Sequence, residues 1–295
     1  ACHNAELSLA ASLTVCHNPA LAARNPSMTA KDLFGDALPA HLCPLNPDVT
    51  AFVCALVADL TQHDGLSAVI IEDLAFPTVR QARGHRRTGV HLGPVGDFLL
   101  ALCFCESCRQ KATGDGLDVP AIVRCAQVDL ERVFADQPDP FPATPEAYLR
   151  DRQPLREFVT WRTACLTDAL ARIRAACAVP LIISHIEDAT TTGADTDARM
   201  VHADGLLLTH HAHIADDWNA HLDRAIKAAG QPQRVRARLD LASAAVPDSD
   251  TLVRLTKQGA DRGLAGVAFA DFGSVPPARL DWIKRAIRYA RREAP

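Results

Sequence analysis

Residues 66–72 read Leu66-Ser67-Ala68-Val69-Ile70-Ile71-Glu72, an apolar run closed by a carboxylate. A nearly continuous apolar run of this length suits a strand covered on both faces, and such strands belong to parallel sheets. An amphipathic stretch precedes it at 48–62. There Val49, Phe52, Val53, Leu56, Val57 and Leu60 recur at three- and four-residue spacing, forming one apolar helix face, and Asn46-Pro47 marks its start. Further upstream, residues 7–16 form a strand candidate ending at His17-Asn18, joined to the helix by a long loop with Pro19, Pro26, Gly35 and Pro39.

The alternation returns in the second half. Residues 155–177 predict a long helix with Leu155, Phe158, Val159, Leu166, Leu170 and Ile173 on one side. Four strand candidates follow: 179–186 ending at His185, 205–209 ending at His210-His211, 234–241, and 264–270 ending at Asp271-Phe272-Gly273. Helices are expected up to 229, near 250–259 and over 277–291. Six strands in a βα rhythm imply a parallel sheet covered by helices. A closed (β/α)8 barrel has eight. The expectation is an α/β fold of the TIM-barrel type, with six βα units visible and the first two strands lacking. An open doubly wound sheet is the alternative. No Gly-rich phosphate loop follows the first strand, which argues against nucleotide binding. Residues 1–295 read as a single domain with an insertion at about 74–154. That insertion comprises a polar loop at 74–96 with Arg80, Arg83, Arg86 and Arg87, a cysteine cluster, a helix at 120–134 and a proline-rich stretch at 137–145.

Composition narrows the partners. The chain has 295 residues, 31 Lys+Arg against 35 Asp+Glu, 48% hydrophobic and 22% charged residues, and a net charge of −4. These values exclude a disordered chain and a nucleic-acid binder that works by bulk positive charge. No run approaches the roughly 18 apolar residues that span a bilayer, and residues 1–6 have no leader pattern. The expected partner is a small-molecule or oligosaccharide substrate, with no nucleic acid and no membrane. Exposed edge strands of a partly open barrel would favour a homo-oligomer.

Ten cysteines need an explanation. They are not spread as a disulfide framework, and a chain of this length needs no staples. That points to a reducing, cytoplasmic compartment. Three fall in Cys103-Phe104-Cys105-Glu106-Ser107-Cys108. On a regular helix Cys103 and Cys105 would point roughly 200° apart. A turn through 104–106, entering a helix near Ser107, would let all three thiolates converge. Zinc takes four ligands in a tetrahedron, and the candidates for the fourth are Cys43, His85 and His91. Cys54, Cys125, Cys165 and Cys177 read as packing residues.

Cys43-Pro44 before a helix, a strand ending in Glu72, and then the Cys103/Cys105/Cys108 cluster together resemble family 42 glycoside hydrolases, the β-galactosidase barrels. A broader set of bacterial glycosidase-like TIM barrels is similar in His17-Asn18 after a strand, Phe34-Gly35-Asp36, Leu42-Cys43-Pro44, LGPVGDFLLALCFCESC at 92–108, and GVAFADFG at 266–273 with LDWI at 280–283. The resemblance implies that Cys43, Cys103, Cys105 and Cys108 bind a structural zinc, and that the strand ending in Glu72 is the fourth of the barrel and carries the acid/base. One position departs from it: Ile71 stands where family 42 has the Asn of its Asn-Glu pair.

In a barrel, chemistry sits at the C-terminal strand ends. Those ends hold His17, Asn18, Glu72, Asp73, His185, Glu187, Asp188, His210, His211, Asp240 and Asp271. Asp73 and Asp188 also suit helix or turn caps. A glycosidase uses two carboxyl groups. Glu72 is the candidate acid/base and Asp240 the second carboxylate. His17, Asn18, His185, His210 and Asp271 are candidate substrate-binding residues, and Trp218 is the nearest stacking platform. Two alternatives remain. One is an amidohydrolase-like enzyme whose His185, His210 and Asp271 hold a water-activating metal. The other is a catalytically inactive carbohydrate-binding barrel, favoured by Ile71.

Overall fold

The computed structural model describes residues 7–78, 92–135, 141–210, 217–270 and 272–292. It divides into two compact units, Ala1–Val179 with Ile186–His202, and Pro180–His185 with Ala203–Pro295.

In the first unit, β1 (Leu9–Thr14) and β4 (Leu66–Glu72) run parallel, with Thr14 registered on Glu72. Between them lies a ribbon of β2 (Thr29–Lys31) and β3 (Ala37–Leu42). The sequence reading takes this stretch as loop. The strands are short and β3 contains Pro39, so no two-residue apolar period emerges. The turn between them is Phe34-Gly35-Asp36. Asp32 accepts from the N–H groups of Phe34 and Asp36, and Gly35 adopts φ 88°, where a side chain would be strained.

Helix α1 (Pro19–Arg24) starts on Asn18, whose Oδ1 accepts from Leu21 N at 2.9 Å. Helix α2 (Pro47–Leu60) starts at Asn46-Pro47 as expected, with Asn46 Oδ1 accepting from Asp48 and Val49. It buries Val49, Val53 and Val57, but Phe52 is exposed, so the buried stripe is narrower than the spacing implies. Helix α3 (Gly93–Ala101) begins inside the stretch read as polar loop, because Gly93-Pro94 opens a helix whose Phe98, Leu99 and Leu100 are buried. Residues 79–91, with the four arginines and with His85 and His91, lie outside the described part. Then come α4 (Glu106–Gly114), α5 (Val119–Phe134), α6 (Pro145–Leu149) and the 24-residue α7 (Gln153–Ala176). Leu155, Leu166, Leu170 and Ile173 of α7 are fully buried, each contributing about 1.5–3 kcal/mol. Two four-residue helical turns, Ala189–Thr192 and Thr196–Arg199, complete the unit.

The second unit is a parallel sheet of β5 (Leu181–Ser184), β6 (Gly205–His210), β7 (Val235–Asp240) and β8 (Gly266–Ala270), in that order. Helices α8 (Trp218–Ala229), α9 (Ser249–Asp261) and α10 (Pro277–Arg292) follow β6, β7 and β8. Every residue of β6 is buried, as a strand covered on both faces requires. All six parallel strands expected from the sequence are present. No helix of the described residues is long and apolar enough to cross a membrane.

Candidate active site and metal centre

The ends of β1 and β4 bring a polar group together in the first unit. Val15 N–H donates to Glu72 O at 2.9 Å and Cys16 N–H to Asp73 O at 3.3 Å, so the chain leaves both strands in step. Ser12 Oγ donates to Glu72 Oε1 at 2.5 Å. Ser12 is exposed and Glu72 half-buried, which leaves this carboxylate within reach of a ligand. His17 is exposed too, and its Nδ1 lies 3.2 Å from Nε2 of the buried His41. Burial, and then the nearby His17, hold His41 down to about 4.

Asp73 has a different surrounding. Burial pushes its carboxyl up to about 6, opposed by His17, whose charge and backbone N–H both favour the carboxylate, and assisted by Glu72. Asp73 also sits at φ 57°, a left-handed conformation few side chains adopt. Strained backbone of this kind gathers at functional sites. Beside it, burial and then Asp73 push the Cys16 thiol up to about 12, so that thiol is a packing group and not a nucleophile.

Of the sequence candidates, Glu72 and His17 therefore share one neighbourhood with Asp73. Asn18 adjoins them, with its Oδ1 engaged in capping α1. Asp188 is a cap, accepting from Thr191 N at 3.0 Å. Sequence reasoning missed Ser12 and His41, and placed Asp73 at the strand end with a capping role as its alternative. His41 stands two residues before Cys43, and that spacing was the available signal.

In the second unit, His185 N–H donates to Leu207 O at 2.8 Å. His210 is buried against Trp218, the rings edge-to-face at 4.8 Å, so Trp218 is packed and not an open platform. Asp240 closes a turn at the end of β7, its Oδ1 accepting from Ala242 N at 2.7 Å. Asp271 and His211 lie outside the described residues.

The metal centre is more sharply defined. After α3 ends at Ala101 the chain is extended through Leu102–Cys105, and Cys105 is the N-cap of α4. This is the turn the spacing demands. Phe104 N–H donates to Lys31 O, and Cys43 N–H to Met28 O, both at 2.8 Å, so the ribbon of β2 and β3 delivers Cys43 to the loop. The sulfurs of Cys43, Cys103, Cys105 and Cys108 lie within 4.8 Å of one another, with Cys43–Cys108 at 3.4 Å and Cys103–Cys43 at 3.9 Å. Metal–sulfur bonds of ~2.3 Å in a tetrahedron require sulfurs about 3.8 Å apart. All four residues are buried and unbridged, so the donor set fits a thiophilic ion. Hydrogen bonds from Cys103, Cys108 and Cys43 hold Cys105 far below the usual thiol range, while Cys43 and Cys108 are pushed up.

Helix α7 covers this loop. Phe158 stacks on Phe104, with centroids 5.1 Å apart and planes 6° apart, and Trp161 stacks on Phe158. Cys165 packs into the same cluster. Arg162 lies between them on the apolar stripe, fully buried, and the sequence reading passed over it. A cation at the spacing of Phe158, Val159 and Leu166 was the signal.

No family model matches the chain, and no curated protein matches it. Solved structures do. A β-galactosidase from the psychrophilic Marinomonas ef1 aligns with a TM-score of 0.54 at 14% identity, over 91% of this chain and 44% of that one. An agarase aligns at 0.44 with 11% identity, over 90% of this chain and 38% of that one. A chitinase from Chromobacterium violaceum aligns at 0.36 with 12% identity, over 95% and 98%. The chain thus spans less than half the length of the β-galactosidase it matches, and it shares the fold of that portion.

Proposed function

We propose that the chain is a glycoside hydrolase of the barrel type, related to family 42, acting by carboxylate acid/base chemistry. The observation that carries this reading is Glu72 at the C-terminal end of a parallel strand, accessible, oriented by Ser12 and next to the strained Asp73. The fold likeness to a β-galactosidase supports it. In this reading Glu72 gives its proton to the glycosidic oxygen as the bond breaks, then takes one from water. The chemistry calls for a second carboxylate, for which Asp240 is the candidate from the sequence. His17 and Asn18, beside Glu72, hydrogen-bond sugar hydroxyls.

The ion at Cys43, Cys103, Cys105 and Cys108 is zinc, in a structural role. Four thiolates close its coordination, so zinc there braces the ribbon, the loop and α4 and offers no position to substrate.

The test is turnover of a panel of aryl glycosides by the chain and by Glu72→Gln. Loss of about 10²–10⁴-fold is expected. Equal turnover by both proteins on every active substrate would remove Glu72 from the chemistry. A second reading, a carbohydrate-binding barrel without turnover, is favoured by Ile71, which is fully buried where family 42 has Asn. Sugar binding without hydrolysis by either protein would select it.

A further inference from the structure

We propose that Arg162 is a positioning residue for the metal: its guanidinium is the counter-charge of the four-thiolate site and ties that site to the segment 188–192. The proposal rests on the zinc reading above.

Arg162 is completely buried on α7, one turn before Cys165 and one turn after Phe158. Its guanidinium lies over the Phe76 ring at 5.0 Å, and Phe76 packs in the same cluster as the four cysteines. One terminal nitrogen donates to the carbonyls of Thr190 and Thr191, the latter at 2.7 Å. Nε and the other terminal nitrogen have no hydrogen-bond partner among the described residues. Burying a cation in this way is costly without an anion. Burial pulls the guanidinium down to about 10, and the charges that oppose this are Cys103 first, then Cys108, then Asp188. Four thiolates around a divalent ion carry a net charge of −2, and in a dry interior that excess also needs an opposing charge. Arg162 meets both requirements at once.

The same side chain grips a strained turn. Asp188 has φ 55°, and the N–H groups of Thr191 and Thr192 return to its carbonyl. Phe76 N–H donates to Thr192 O at 2.9 Å. Gly193 has φ 72°, and a Cβ there would meet Phe76 at 3.1 Å. Arg162 and Phe76 therefore clamp this turn from the side of the metal cluster.

Zinc affinity is measured by competition with a chromophoric chelator, on the full chain and on Arg162→Met and Arg162→Lys. Arg162→Met is expected to bind about 10–100-fold more weakly, the usual effect of losing a group that supports metal ligands. Arg162→Lys keeps the charge and is expected to stay within about threefold of the parent. An Arg162→Met affinity within twofold of the parent overturns the charge role, as does Arg162→Lys matching Arg162→Met. The parent chain supplies a readout that survives if a variant fails to fold. Zinc is expected to slow amide exchange at Thr191, Thr192 and Gly193 more than at residues 235–240, and equal slowing overturns the tie. A parent chain that takes up no zinc sinks the metal reading itself, and this proposal with it.

Discussion

The Nδ1 of His17 lies 3.2 Å from the Nε2 of His41, so one imidazole donates and the other accepts, and two imidazolium rings cannot share the site. Asp73, held by the His17 backbone, completes the arrangement. Two opposite pH dependences follow. His41 falls from 6.5 to about 4 on folding. Between those values the unfolded chain binds a proton that the folded chain refuses, so this group's stabilisation is present above 6.5 and is lost as pH falls. Asp73 rises from 3.8 to about 6. Its contribution is present below 3.8 and is lost as pH rises through about 6. The two slopes oppose each other in the shared window. Denaturant midpoints at pH 4, 5 and 6 are expected to fall with pH for His41→Gln and to climb for Asp73→Asn, with the parent flatter than either. Three parallel curves would refute the coupling.

Ser12 fixes the orientation of the candidate acid/base through Glu72 Oε1. Ser12→Ala is expected to lower kcat about tenfold while leaving KM within about twofold, because orientation and not binding is lost. A change confined to KM would assign Ser12 to substrate binding instead.

Cysteine substitutions separate ligands from packing. Cys105→Ser removes a donor that is also the start of α4. Purified without chelator, it is expected to lose its zinc and melt at lower temperature, since metal-binding energy is folding energy at such sites. Cys165→Ala, in the same cluster but outside the four-sulfur group, is expected to keep one zinc per chain. Elemental analysis showing no zinc in the parent chain would reject the site.

Away from the site, Asp129 accepts from Tyr148 Oη at 2.7 Å and from Arg152 Nε at 2.8 Å, joining α5 to α6 and α7. Burial alone would raise its pKa, but the bonds from Arg152 and Tyr148 outweigh burial and hold it below the usual value. Asp129→Asn is expected to cost about 2 kcal/mol near neutral pH. The difference from the parent should shrink as pH falls through the carboxylate range. A constant difference down to pH 3 would mean that the shape of the residue matters and not its charge.

The parallel strands were legible because apolar runs such as Leu66–Glu72 need no partner to be recognised. The turn at Cys105 was legible because a two-residue cysteine spacing cannot converge on a helix. The ribbon of β2 and β3 was not, since its pairing and not its pattern defines it. Glu72 was found by its place at a strand end, whereas Asp73 acquires its character from burial and from the backbone N–H of His17, 56 residues earlier in the chain. Arg162 was hidden differently: its periodicity says core, its charge says surface, and only its bonds to the Thr190 and Thr191 carbonyls and its place over Phe76 show how the core accepts it.

The stack of Phe104, Phe158 and Trp161 has a practical consequence. Phe104 lies between two of the four clustered cysteines, and the indole of Trp161 reaches it through one intervening ring while its Nε1 donates to Asp115 at 2.8 Å. The chain has only three tryptophans, and Trp218 and Trp282 lie in the second unit. An intrinsic fluorophore thus sits one ring away from the thiol loop, and in the Trp218→Phe/Trp282→Phe chain its emission is expected to change when that loop takes up a metal.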